Sequence, residues 1–297
     1  MDHFKSGFVS LIGRPNVGKS TLLNRLVGEK IAIISSKPQT TRNNVLGILT
    51  EDHMQIVFTD TPGIHAPATK LGEFMVKSAE TAMRDVDAVL FLIEPVDHVG
   101  MTEEKIIEDL KKVNCPVILV INKIDRVKRD LLLSIIAKYT ERYDFAAVVP
   151  ISAKKNDGID LLRKELFPLI GEGPMFYPED MVTDQPERQM VAETIREKIL
   201  RNMDKEVPHG IAIEIEKMKD FDSVLEISAN IYCEKASHKG IIIGKNGEMM
   251  KKIGRLARED MEKMLGKKVF LELWVKVKED WRNRDTMIRN FGYDMRE

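Results

Sequence analysis

The apolar positions of this chain follow two different rhythms. Through the first half, short continuous runs recur at Phe8–Ile12, Ile56–Thr59, Ala88–Ile93, Val117–Ile121 and Val148–Ile151. Unbroken runs of this length suit strands buried on both faces of a parallel sheet. Between them stand stretches with helical spacing, Lys19–Val27, Gly72–Arg84, Thr102–Lys112 and Asp130–Tyr143. The alternation predicts an open, mostly parallel α/β sheet with crossover helices.

That rhythm stops near Ile170. Residues 171–186, GEGPMFYPEDMVTDQP, are rich in Gly, Pro and acidic side chains and predict a linker. Beyond it Glu187–Met203 has helical spacing, while Ile211, Ile213 and Ile215 alternate with Ala212, Glu214 and Glu216, a one-sided strand. Val224–Glu234 and Val269–Val277 predict two more strands, and Ala236–Ile243, Glu248–Leu265 and Glu279–Arg289 predict helices. The division is therefore an α/β domain over 1–170, a linker over 171–186 and a small α+β domain with a three-stranded sheet over 187–297.

Composition narrows the class. The 297 residues suit two domains, and 43% hydrophobic content supplies both cores. Cys115 and Cys233 lie far apart, which argues against a disulfide scaffold, and the scattered histidines make no zinc-ligand spacing. The N-terminus lacks the pattern of a signal peptide, and no apolar run approaches the ~18 residues of a membrane span, so a soluble protein is expected. Net charge is −1, but Lys239–Arg289 carries 14 basic and 8 acidic residues, a local +6. That excess predicts a polyanionic partner for the C-terminal domain.

The candidate chemistry begins at Gly13–Ser20, GRPNVGKS, which fits G-x-x-x-x-G-K-[ST] between a predicted strand and a predicted helix. Gly13 and Gly18 let the backbone through Arg14, Pro15, Asn16 and Val17 curl so that N–H groups point inward. The helix start through Thr21 adds positive potential for phosphates. Lys19 can reach the β- and γ-phosphates, and the Ser20 hydroxyl can ligate Mg2+. Asp60–Gly63, DTPG, ends the next predicted strand: the Asp60 carboxylate can hold the metal through water, Thr61 and Pro62 shape the turn, and the Gly63 N–H can meet the γ-phosphate. Asn122–Asp125, NKID, ends a further strand. The Asp125 carboxylate can accept from guanine N1–H and its exocyclic amine, a donor pair that adenine lacks, so a buried site discriminates by about 10⁴. Asn122 can tie this loop to the phosphate loop, the Lys123 stem can cover the base, and Ile124 completes the turn. Ser152–Lys154, SAK, ends another strand, where the Ala153 N–H can meet guanine O6. Each piece alone is a common turn or cap; four in this order at strand ends are a guanine-nucleotide site.

Between them lies Lys37–Asn44, KPQTTRNN, a polar loop in which Thr40 and Thr41 are both candidates to complete the Mg2+ shell. Ile64 stands where many switch GTPases place a water-orienting Gln, so slow intrinsic turnover is expected. Asn16 is either a ligand for K+ beside the phosphates or a local loop bond, and Arg14 is a solvent-facing loop residue rather than a cis finger.

A second glycine loop, Gly240–Met250, looks similar, but it has three residues between its glycines and Asn246 where Ser or Thr belongs. It instead contains G-x-x-G, Gly244-Lys245-Asn246-Gly247, between two predicted helices, the clamp by which a KH domain grips a nucleic-acid backbone. Lys245 supplies charge and Asn246 a hydrogen-bonding group, with Ile243 beside them. Met250, Ile253, Ala257, Met261 and Met264 predict the core face of the following helix, and Lys251, Lys252, Arg255 and Arg258 its basic exposed face.

GRPNVGKST, PQTTRN, DTPGIH, NKID, SAK, YPEDMVTDQPER and GIIIGKNGEMMKKIG together resemble the Era family of bacterial GTPases over essentially the whole chain. The resemblance implies a Ras-like GTPase domain joined to a type II KH domain, with GTP or GDP and Mg2+ as ligands. It further implies binding to the 3′ end of 16S rRNA and a part in 30S subunit maturation. A cytoplasmic monomer with peripheral contact at the inner membrane is implied as well. The alternatives are a tRNA-modifying or translational GTPase, or an RNA-binding scaffold with a vestigial nucleotide site.

Overall fold

The computed structural model describes residues 4–64, 67–204 and 207–293. They divide into two compact units, one of residues 4–32, 41–64, 67 and 73–184, the other of 33–40, 68–72, 185–204 and 207–293.

The first unit is built on a six-stranded sheet: β1 (Lys5–Gly13), β2 (Val45–Glu51), β3 (Met54–Asp60), β4 (Ala88–Ile93), β5 (Val117–Ile121) and β6 (Ala147–Pro150). The spatial order is β2-β3-β1-β4-β5-β6, with only β2 antiparallel. All residues of β4 and β5 are buried, which is why those strands read as unbroken apolar runs. The helices are α1 (Lys19–Val27), α2 (Lys70–Thr81), α3 (Met101–Leu110), α4 (Arg129–Thr140) and α5 (Ile159–Leu166). One core joins Val9 and Leu11 of β1 to Leu22 of α1 and Leu162 of α5; the other joins Ile12 and Phe91 to Ile106 of α3 and Ile135 of α4. From β1 the chain passes through α1 to β2 and β3 on one side and then returns through α2 to β4 on the other, so the loop after β1 sits at a topological switch point.

Two elements go beyond the sequence reading. The edge strand β2 was not expected, nor was α5. The Gly/Pro-rich stretch is an ordered strap on the first unit: Ile48 N donates to Val182 O (2.9 Å), Thr183 Oγ1 to Leu46 O (2.7 Å), and Phe176 N and Tyr177 N both to Gln55 Oε1 (2.8 and 2.9 Å).

The second unit contains α6 (Glu187–Asn202), β7 (Ala212–Phe221), β8 (Val224–Cys233), α7 (Ala236–Ile243), α8 (Glu248–Leu265), β9 (Lys268–Val277) and α9 (Asp285–Asn290). Its sheet runs β7-β8-β9, antiparallel then parallel. Ile195 and Ile199 of α6 and Ile253, Ala257 and Met261 of α8 pack on one face of that sheet; Met250 and Met264 are partly buried against them. The expected last helix, Glu279–Arg289, is instead a 3-10 turn, Trp281–Asn283, followed by α9. The break lies at Arg284, whose φ −111° and ψ 110° are extended. The Trp281 ring is fully buried and its Nε1 donates to Gly210 O (2.9 Å), which fixes the break.

Candidate functional site

The loops of the first unit converge where sequence reasoning put them, at the carboxyl ends of β1, β3, β5 and β6. After β1 the chain turns through Gly13, Arg14, Pro15, Asn16 and Val17 into α1, with Gly18 as its N-terminal flank at φ 104°. Lys19 is buried, its Nζ donating to Gly13 O (3.2 Å) and Arg14 O (3.1 Å). Burial pulls the Lys19 ammonium down to about 8, against the attraction of Asp60. An ammonium held over main-chain oxygens in a buried loop is placed to meet phosphate oxygens in their stead. Thr21 is half-buried in the first turn of α1.

Three oxygens meet beside it. Ser20 Oγ donates to Asp60 Oδ2 (2.5 Å), Thr41 Oγ1 donates to the same oxygen (3.2 Å), and the two hydroxyls are 2.9 Å apart. Asp60 Oδ1 is buried with no partner. Burial raises the Asp60 carboxyl above its ordinary value, opposed by Lys19 and by the bonds from Ser20 and Thr41. Two hydroxyls and a carboxylate with an orphaned oxygen fit a divalent cation. Thr40 does not join them: it belongs to the second unit, and its Oγ1 donates to Lys37 O (2.6 Å).

In the DTPG turn, Thr61 Oγ1 donates to Leu11 O (2.8 Å) and Pro62 is buried. Gly63 lies against the phosphate loop so closely that a Cβ there would come within 2.5 Å of Pro15 backbone. Ile64 is 4% exposed, in the core with Ile12 and Phe91, and its N–H donates to Gly13 O (3.2 Å). A side chain so placed has no means to orient water. His65, which ends the DTPGIH stretch, lies outside the described residues.

The base loop is tied down as expected. Asn122 Nδ2 donates to Val17 O (2.8 Å) and Lys123 Nζ to Asn16 O (2.6 Å). Ile124 N donates to Ile151 O (3.2 Å), while Ser152 Oγ donates to Asp125 Oδ1 (2.6 Å). That bond, first among its influences, holds the exposed Asp125 carboxyl below its usual range, so it is ionised and ready to accept. The Ala153 N–H is engaged here with Asn122 Oδ1 (3.0 Å). Lys154 is exposed.

Several contributors escaped the sequence reading. Arg25 of α1 reaches across to the SAK turn, its Nε donating to Ala153 O (3.1 Å) and its Nη2 to Lys154 O (3.3 Å). Glu94, following β4, pairs with Lys123. Glu103 of α3 is 3% exposed and holds Arg14 (2.9 Å). In the second unit, buried Arg196 donates to Gln39 O (3.3 Å) and Thr40 O, and Glu197 accepts from Ile34 N (3.0 Å). Only the three buried charges at Arg196, Glu197 and Lys198, unusual in a packed helix, could have signalled this.

In that unit Gly244-Lys245-Asn246-Gly247 forms the turn between α7 and α8. Gly244 has φ 74°, and a Cβ there would lie 2.7 Å from Met249 Cβ, so glycine is required. Asn246, Gly247 and Gly244 all have positive φ. Lys245 and Asn246 are exposed, Ile243 is half-buried, and Lys251, Lys252, Arg255 and Arg258 all lie on the exposed face of α8.

Known proteins match both units. A family described as "50S ribosome-binding GTPase" matches residues 8–123, and one described as "KH domain" matches 206–282. GTPase Era of Ruminiclostridium cellulolyticum is 56% identical, with 98% of each chain covered, and GTPase Era of Clostridioides difficile 55%, with 98% of this chain and 99% of the relative covered. Among solved structures, Era in complex with MgGDPNP and nucleotides 1506–1542 of 16S ribosomal RNA superposes with TM-score 0.95 at 42% identity, covering 99% of this chain and 100% of that one. An Aquifex aeolicus Era variant bound to GDP.AlF4− gives TM-score 0.95 at 42% identity, covering 98% and 100%. With its phosphate loop, guanine loop and G-x-x-G turn on one chain similar throughout to these proteins, the chain is a GTPase and belongs to the Era family.

Proposed function

We propose that this GTPase couples its nucleotide site to recognition of the 3′ end of 16S rRNA and so serves 30S subunit maturation. The carrying observation is the pairing, on one chain, of the Ser20–Thr41–Asp60 oxygen cluster beside Lys19 with a G-x-x-G turn flanked by basic residues.

In this reading the first domain, 1–170, binds GTP. Gly13–Thr21 enclose the phosphates, Asp60–Ile64 face the γ-phosphate, and Asn122–Asp125 with Ser152–Lys154 hold the base. Ser20, Thr41 and Asp60 would hold Mg2+, which supplies charge neutralisation at the phosphates. Thr41 is assigned in preference to Thr40 because only its hydroxyl joins the cluster. Lys19 stays protonated against the developing negative charge. The linker begins at 171, and the KH domain over 187–297 clamps single-stranded RNA at Gly244–Gly247, with Lys251, Lys252 and Arg255 on its phosphates. Ile64 leaves the hydrolytic water without a side-chain partner at that position, so turnover is slow. K+ beside Asn16, a monomeric state and peripheral contact with the inner membrane belong to the same reading.

Phosphate release from GTP and from ATP, with and without an oligonucleotide of the 16S 3′ end, tests it. Release from GTP alone, and crosslinking from Lys245 to that oligonucleotide, are expected. Equal use of ATP, or preferential crosslinking to tRNA, overturns it.

A further inference from the structure

The sheet of the second unit has two unlike faces. One is covered by α6 and α8 and is apolar. The other is open. Along β9 it presents Phe270 and Trp274, 54% and 58% exposed, and Phe221 at the end of β7 is 54% exposed. Phe270 and Trp274 are four residues apart on one strand, about 13 Å. Bare aromatic rings at this spacing on an ordered sheet are an uncommon surface for a protein to leave in water.

Around Trp274 the surface is acidic. Trp274 pairs with Asn230 of β8, which pairs with Glu214 of β7. Asn230 Nδ2 donates to both Glu214 Oε2 (3.3 Å) and Glu216 Oε2 (3.2 Å), so one amide holds two carboxylates together. Tyr232 Oη donates to the same Glu214 oxygen (2.7 Å). Burial, and then the bond and charge of Glu214, push that phenol up to about 12. Among the described residues neither the Glu214 nor the Glu216 carboxylate is in an ion pair with lysine or arginine, although Arg188 Nη2 donates to the main-chain oxygen of Glu216 (3.3 Å), whereas the Glu226 carboxylate on the same face is paired with Lys217 (2.7 Å). Asn230 is 2% exposed and its Oδ1 has no partner, so the cluster also contains an unused acceptor. Glu272 adds a third carboxylate two residues from Trp274, against Lys276 on the other side.

A ring face flanked by unpaired carboxylates attracts a cation and repels phosphate. The basic residues expected to meet RNA lie on α8, in the layer that covers the opposite face of the sheet. We propose that the open face of β7–β9 docks an extended arginine- or lysine-bearing segment of a protein partner. One cationic side chain lies over Trp274, facing the Glu214 and Glu216 carboxylates across Asn230, and an apolar side chain meets Phe270. Protein and RNA would then occupy different faces of one small domain.

Of the two tryptophans, Trp281 is fully buried, so acrylamide quenching reports Trp274. The probe is a fluorescein-labelled nine-residue peptide alternating arginine and valine, titrated into the intact protein. It should protect Trp274 from acrylamide. Its affinity, read by anisotropy, should fall at least about tenfold in Glu214→Gln/Glu216→Gln and in Trp274→Ala. The Gln variants keep the acceptor for Tyr232, and unchanged GTP hydrolysis and melting temperature show that they fold. The proposal is overturned if the peptide leaves Trp274 unprotected, or if the double variant binds as the parent does. It is equally overturned if a uridylate 10-mer gives the protection, or if concentrating the protein alone hides Trp274 in a dimer.

Discussion

Two stretches of this chain read almost alike and fold as opposites. Gly13–Thr21 and Gly240–Met250 both run glycine, a few residues, glycine, lysine. The first joins a strand to a helix, and its Lys19 is turned inward onto main-chain carbonyls, 6% exposed. The second joins two helices, and its Lys245 stands in solvent. The elements on either side decide the chemistry. A strand end at a switch point builds a closed cradle for a terminal phosphate group, whereas a helix–helix turn offers an open ledge for a continuous backbone.

The sharpest break of this comparison is at the base loop of the first region. Asp125→Asn replaces the acceptor by an amide and should reduce the preference for GTP over xanthosine triphosphate by about 10⁴, read by competitive nucleotide binding. RNA affinity of the free protein should not change.

Lys19→Ala comes next. Loss of an ammonium at the phosphates should cost about 10²–10³ in GTP hydrolysis, measured as phosphate release, with nucleotide-free RNA binding retained. The reciprocal variant is Gly244→Asp/Gly247→Asp. Strain at φ 74° and 76° together with two added negative charges should weaken RNA binding by about 10–100-fold in filter binding, with GTP hydrolysis intact. If either variant disables both activities equally, the two loops are not independent devices.

A smaller effect is expected at Lys19 as pH changes. Lys19 is depressed to about 8 by burial. The free protein therefore binds fewer protons than the unfolded chain between pH 8 and 10.5, and its stability gains from this group as pH rises through that window. GTP needs the charged form, so affinity should be level below pH 8 and fall by up to about tenfold per unit above it. Calorimetric titration from pH 7 to 9, with Lys19→Ala as the flat control, checks this.

The smallest expected change is at the exposed helix face. Lys251→Ala/Lys252→Ala should weaken RNA binding a few-fold and reduce the slope of log affinity against log salt by about 2.

How far this was legible varies residue by residue. Strands β4 and β5 were plain because burial on both faces demands unbroken apolar runs. Edge strand β2, VLGILTE, is mostly half-buried and flanked by polar loop, so neither template fitted it. The break before α9 depends on Trp281 finding Gly210 O, 71 residues away, which no local pattern shows. Thr40 and Thr41 are neighbours in sequence with equal credentials, and only the folded chain brings one of them to Ser20 and Asp60. Arg25, Glu94 and Arg196 reach partners 128, 29 and 157 residues away, and as sequence they are ordinary helix or loop charges.

The amino-acid sequence by itself determined the nucleotide class, the two kinds of glycine loop and the alternation that makes one domain α/β and the other α+β. Those depend on short-range spacing, which a linear string carries in full. Tertiary structure alone decided which threonine meets the carboxylate, which arginine braces which turn, and which sheet face stays bare around Trp274. Those are matters of long-range proximity and of burial, and they exist only once distant segments are packed together.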